Sequence, residues 1–116
     1  ELSPDLRRAY ELLARIERDR FGDLDAASKV LDRALDLWPR SWSIHFEAGV
    51  LLRAKAATLQ HRNTNEDDDD ESRRRGVLLR EARESLARAA ELARATKKVD
   101  FLGRILTTAA LVEVDL

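Results

Sequence analysis

The stretch Phe21-Gly-Asp-Leu-Asp-Ala-Ala-Ser-Lys-Val-Leu-Asp-Arg-Ala-Leu-Asp-Leu-Trp-Pro39 decides how the chain folds, because it holds a turn, a whole helix and a helix stop. Gly22 can adopt the positive φ that ends a preceding helix, and Asp23 then accepts from the free amides of the next one. Ala27, Leu31 and Ala34 recur at intervals of four and three, with Val30, Leu35 and Trp38 beside them. Asp25, Ser28, Lys29, Asp32, Arg33 and Asp36 fall on the other side, so the segment is an amphipathic helix. Pro39 has no amide hydrogen and disfavours helical geometry at Trp38, which ends the helix there.

Outward from this element the same grammar repeats. Ser3 before Pro4 is a helix start, and the first helix runs to about Phe21 with Leu6, Ala9, Tyr10, Leu13, Ile16 and Phe21 as its apolar row. Glu11, Arg15 and Arg18 mark its wet side. After Pro39, Ser41 or Ser43 caps a third helix carrying Trp42, Phe46, Gly49, Leu52, Ala56 and Leu59. A mid-helix glycine costs about 1 kcal/mol against Ala, so Gly49 predicts close approach of a neighbouring helix. A polar insertion over 61–72 contains the acidic run Glu66 to Glu71, and its acid-before-base order with Arg73, Arg74 and Arg75 also suits the first turn of a fourth helix.

That fourth helix, to about Thr96, buries Leu79, Ala82, Leu86, Ala89 and Ala93. Its Ala82-x3-Leu86-x2-Ala89 repeats the spacing of Ala27, Leu31 and Ala34, and Gly103-x2-Leu106 in the last helix matches Gly49-x2-Leu52, so the chain is internally repetitive. The last helix places Val99, Leu102, Ile105, Leu106, Ala109 and Val112 on one face and Phe101 and Leu111 elsewhere, leaving it apolar on more than one side. Leu111 to Leu116 alternates apolar and acidic residues and reads equally as helix or extended chain.

The composition agrees with an all-α domain. The 116 residues are 44% hydrophobic and 37% charged, with four Gly and two Pro. A net charge of −1 supplies no global field for nucleic acid or anionic membrane. There is no Cys for disulfides or thiolate metal sites, and no apolar run long enough to span a bilayer. An opening at Glu1 with no Met anywhere is expected of a processed or excised segment.

On the residues Gly22, Ala27, Leu31, Ala34 and Pro39, the chain resembles the tetratricopeptide (TPR) repeat. On Val30 to Leu35 with Trp42 and Phe46-Glu47, it resembles the related half-a-TPR (HAT) repeat of RNA-processing scaffolds. It departs at Glu11, Ala14, Arg15 and Arg18, where the first helix lacks the family's aromatic, and at Ser28, where HAT repeats usually carry Arg. The resemblance implies antiparallel hairpins in a short right-handed solenoid of about five helices. The expected layout is a single domain over 1–116, with hairpin one at about 4–38, hairpin two at about 41–96 including the insertion 61–72, and a closing helix at about 98–112.

The resemblance further implies a non-enzymatic scaffold or adaptor binding a helix or peptide of another protein, located inside the cell in cytoplasm or nucleus. The family alternatives are a HAT-type subunit of an RNA-processing complex and a TPR-type organelle or chaperone receptor. Carried over, the family's groove positions fall on Leu12, Ile16, Asp19, Arg20, Ser43, Phe46, Val50 and Arg53. Leu12, Ile16, Ser43 and Glu47 stand where the family's carboxylate clamp needs other residues, so no clamp is expected. In a chain this short, Leu12, Ile16, Phe46 and Val50 read first as core between helices and second as the wall of a groove.

Phe101 and Leu111 are the candidate contacts of the last helix, to a partner, a second copy or further repeats. His45 and His61 stand at no spacing that joins them to a second ligand or a nucleophile, so neither catalysis nor a metal or other cofactor is expected. The acidic run lacks the spaced oxygens and glycine of a calcium loop. Arg73 to Arg75 sit beside six acids with no aromatic interleaved, so direct nucleic-acid binding is not expected either.

Overall fold

The computed structural model describes residues 3–60 and 68–116. Its elements are five α-helices: α1 (Pro4–Asp19), α2 (Leu24–Leu37), α3 (Trp42–Gln60), α4 (Asp68–Ala95) and α5 (Val99–Asp115). Each helix packs on the next in sequence, α3 on α4 most extensively, while α3 also touches α1 and α5. The body measures 50 × 26 × 21 Å. Its longest helix is α4, whose 28 residues span about 42 Å at 1.5 Å each.

The capping grammar operates as the residues dictate. Ser3 accepts from the Asp5 amide at 3.1 Å with Pro4 opening α1, and Gly22 sits at φ 64° in the first turn. Asp23 accepts from the Ala26 amide at 3.0 Å. For α3 the cap is Ser41, whose Oγ accepts from the Ile44 amide at 3.4 Å. The turn from α4 to α5 has no glycine, and Lys97 takes the left-handed conformation at φ 60° while the Lys98 amide donates back to the Ala93 carbonyl at 2.8 Å.

Two apolar cores result. One joins Ala14, Ala27, Leu31, Ala48 and Leu51 across α1, α2 and α3. The larger joins Phe46 and Ala56 of α3 to Leu79, Ala82, Leu86, Ala89, Ala90 and Ala93 of α4 and to Ile105 and Val112 of α5. The small residues let the helices close up: a Cβ on Gly49 would lie 2.6 Å from Leu86 Cγ, so α4 approaches α3 closely at Gly49. Three arginines hold the end of α5. Arg53 Nε lies 2.8 Å from the Asp115 carboxylate, Arg75 donates to the Asp115 carbonyl at 2.7 Å, and Arg83 pairs with Glu113 at 2.7 Å. Cations there complement the negative end of the helix dipole.

Four expectations from the sequence change. The apolar row of α1 is only half covered: Tyr10 meets Trp38 edge to face at 5.5 Å, but Leu6, Ala9, Leu13 and Phe21 are exposed. The buried pair is Glu11 and Ala14, because α1 stands at the end of the row and the face it turns toward α3 carries Glu11, Arg15 and Arg18. The acidic run is not wholly insertion, since α4 begins at Asp68 and takes in Asp68 to Ser72; positions 61–67, including His61, lie outside the described residues. The last helix continues to Asp115, so the tail is helical, its arginine partners favouring that continuation.

Candidate partner-binding groove

Because α3 lies between α1 and α5, the three helices line a trough whose lining residues advance turn by turn along all three. Its upper end is a cleft of about 510 Å³ between the first half of α1 and the starts of α3 and α5, with Leu12, Trp42, Ser43 and Phe101 in its walls. Below it a small pocket of about 80 Å³ adds Phe46, Glu47, Arg104 and Ile105. The lower end is an open cleft of about 720 Å³ lined by Asp19, Leu24, Val50, Arg53, Thr108 and Asp115 among others.

Of the groove residues read from the sequence, Leu12 and Ser43 line the upper cleft, Phe46 the middle pocket, and Asp19, Val50 and Arg53 the lower cleft. Ile16 is half-buried and Arg20 is the exposed C-cap of α1; neither lines any of the three. Phe101 stacks on Trp42 at 4.8 Å between centroids and borders both upper spaces. Leu111 is exposed and faces none of them.

The electrostatics differ along the trough. At the lower end charges are paired off: Arg18 Nε donates to Asp19 at 2.7 Å and Arg53 to Asp115 at 2.8 Å. The hydrogen bond from Arg18 holds the Asp19 carboxyl below the usual carboxylate range. At the upper end Arg7, Arg8, Arg15, Lys98 and Arg104 share the walls with two carboxylates, Glu11 and Glu47, and Arg8 also reaches Asp5 at 3.8 Å. Glu47 is buried and takes Arg15 Nε at 2.8 Å. Arg104 lies over the Phe46 ring, 5.5 Å from its centroid.

These basic and acidic residues were not among the sequence candidates. The signal for Glu47 was present, since it interrupts the buried run Ile44, Phe46 and Ala48 of α3 and such a carboxylate needs a cationic partner. For Glu11 no signal existed without knowing which face of α1 meets α3.

His45 is tied to the second turn, its Nε2 donating to the Pro39 carbonyl at 2.8 Å. Among the described residues no cluster of His, Cys, Asp and Glu could hold a metal, and no helix is long and apolar enough to cross a membrane.

A scan against protein-family models gave no match, and neither curated proteins nor solved structures gave a similar chain.

Proposed function

We infer that the chain is a non-enzymatic scaffold, a short right-handed array of tetratricopeptide type that holds a helix or peptide of a partner protein. One observation carries this reading. The seam Gly49-x2-Leu52-x3-Ala56 of α3 recurs as Gly103-x2-Leu106-x3-Ala110 in α5. In α3 the seam is covered by α4, whose Ala82, Leu86 and Ala89 are fully buried. In α5 it is bare: a Cβ on Gly103 would meet nothing within 4 Å, Leu106 is 45% exposed, and Val99 and Val114 extend the stripe to either end at 67% and 82% exposure. A surface that binds a helix once within the chain thus stands open a second time. Leu111 stands beside it as a further contact, while Phe101, on the other side of α5 against Trp42, belongs with Leu12, Ser43, Phe46, Val50 and Arg53 to the trough, which offers a second face.

The occupant proposed is a partner helix with an Ala-x3-Leu-x2-Ala stripe; both such stripes of this chain, in α2 and α4, are already buried at home, so a second folded copy has none to offer and would have to pair seam to seam. The test uses a labelled synthetic peptide with the sequence of residues 76–96 as a stand-in for such a helix. Saturable binding to the full chain is expected, abolished by Gly103→Val and weakened by Gly103→Ala. Absence of binding, or binding indifferent to Gly103, overturns the reading. The HAT-like stretch of hairpin one keeps a place in an RNA-processing assembly as one setting for this scaffold, and an organelle or chaperone receptor is the other. Co-purification of ribonucleoprotein or of translocation components separates them.

A further inference from the structure

We propose that the upper cleft of the trough grips the main chain of an extended, acidic peptide segment, Glu11 accepting one of its amide hydrogens and Arg7 donating to one of its carbonyls. The inference rests on the scaffold reading above but uses a different face from the seam of α5.

Its starting point is a pair of orphans. Glu11 is 7% exposed, and its Oε1 is closed off from water with no hydrogen-bond partner. Arg7 Nε, one helical turn earlier on the same face, is likewise buried and unpartnered. Both residues line the same cleft. Buried polar groups are almost always satisfied, because leaving one unpaired forfeits its hydration with no return. An acceptor and a donor one helical turn apart in the wall of one cleft, neither bonded to the other, define what would complete them: a group offering a donor and an acceptor at fixed spacing. The polypeptide backbone offers that at every residue except proline. It does so only while extended, since in a helix the same groups are consumed internally. The terminal torsion of a glutamate is broad, so a small rotation turns Oε1 toward an incoming amide without leaving a rotamer well.

The surroundings choose the side chains. Arg7, Arg8, Arg15 and Lys98 ring the cleft; Arg15 is paired with Glu47 at 2.8 Å and Arg8 loosely with Asp5 at 3.8 Å, so Arg7, Lys98 and the weakly held Arg8 stand against Glu11 in a chain whose overall charge is −1. Arg8 and Lys98 are exposed at the rim. A segment bearing Asp or Glu is attracted there and a basic one repelled. Between the charges, exposed Leu12 and the Trp42–Phe101 stack provide apolar walls for alternate side chains of an extended chain.

The probes are three fluorescein-labelled octapeptides: alternating Glu and Leu, alternating Lys and Leu, and the first with its two central amides N-methylated. Binding is read by anisotropy on the full chain, with Trp42 emission as a second reporter. The acidic peptide is expected to bind, the basic one not, and added salt to weaken the complex. Glu11→Leu should reduce affinity about tenfold to a hundredfold, the range for losing a hydrogen bond to a charged group. N-methylation should cost the wild type a similar factor and the Glu11→Leu protein nothing further.

Because Glu11→Leu removes an unpaired buried carboxylate, its melting temperature should hold or rise while binding falls, a combination that a purely structural role for Glu11 does not produce. Arg8→Glu and Lys98→Glu, both at exposed positions, should each weaken the acidic peptide severalfold without loss of helicity. Equal binding of the basic peptide, an unchanged affinity in Glu11→Leu, or an N-methylation effect that persists in that variant overturns the proposal. Binding of the residue 76–96 peptide through Gly103 is scored separately, so failure here leaves that result standing, and the reverse.

Discussion

Replacing Gly49 by Ala sets two known effects against each other at one atom. Removing a glycine from the middle of a helix gains about 1 kcal/mol of backbone propensity. The added methyl, however, would lie 2.6 Å from Leu86 Cγ, 2.8 Å from Leu86 Cδ2 and 3.4 Å from the Ala82 carbonyl. Leu86 is fully buried between Ala82 and Ala89, and its Cγ is tied closely to the α4 backbone, so the strain cannot be relieved by swinging a free end. Overpacking of this kind costs about 1–3 kcal/mol, and contact with two atoms of one locked side chain belongs to the upper part of that range. The net expectation is a destabilisation of about 1–2 kcal/mol.

Gly103→Ala is the matched control, since its Cβ meets nothing. That change should stabilise the chain by about 1 kcal/mol. Urea denaturation followed by helical circular dichroism measures both, with unchanged m-values showing that the comparison is of folding free energies. Adding Leu86→Ala to Gly49→Ala should cost less than the sum of the two single changes, because the cavity accepts the methyl. If Gly49→Ala is as stabilising as Gly103→Ala, the close approach of α4 at Gly49 is wrong, and the contrast between covered and bare seams falls with it.

Two further outcomes are expected. Lys97→Gly should raise stability by about 0.5–1 kcal/mol, since Lys97 holds a left-handed φ of 60° that glycine adopts without strain; a loss of stability in thermal melts would refute this. For Asp19, a carboxyl-detected NMR titration should give a midpoint below the ordinary aspartate value, rising toward it in Arg18→Ala. The lowered folded value means that the contribution of this pair is fully present above the unfolded pKa of aspartate and is lost as pH falls through the folded one. Asp19 is 59% exposed and the two residues are adjacent in sequence, so the effect on global stability is small, and an identical midpoint in the two proteins would exclude the pairing.

The parts of this fold that were legible in the sequence are those set by local chemistry. Ser3 with Pro4, Gly22 with Asp23, and Trp38 with Pro39 each place a helix end through hydrogen bonds within a few residues, and the structure puts ends at all three. The small-large-small stripes were legible because period and side-chain size are written in one helix, and Ala27, Leu31 and Ala34 are buried as that period requires. What was not legible depends on which neighbour a helix meets. The apolar row of α1 looked sufficient to define its inner face, yet Glu11 is inside and Leu13 is 45% exposed. The reason is that α1 meets α2 along one edge and α3 along another, and the second contact is made by Ala14 and by the charged residues around Arg15 and Glu47. Likewise the chain itself does not say where the insertion stops and α4 starts, because an acidic run suits solvent and a helix N-terminus equally well.

The same distinction separates the two candidate surfaces. The seam of α5 is a property of one helix and its match elsewhere in the chain, since Gly103, Leu106 and Ala110 repeat the spacing of Gly49, Leu52 and Ala56. The upper cleft arises only when three helices that are distant in sequence come together. Arg7 and Glu11 come from α1, Trp42 and Ser43 from α3, Phe101 from α5 with Lys98 just before it, and none of these residues has a binding character alone. The Glu11 oxygen is closed off from water without a partner in that assembly, while the other buried carboxylate, Glu47, takes the Nε of Arg15. A carboxylate stranded in this way costs stability in the free chain. A ligand that relieves it gains from contacts absent beforehand, which is why stability and binding should move in opposite directions when Glu11 is replaced.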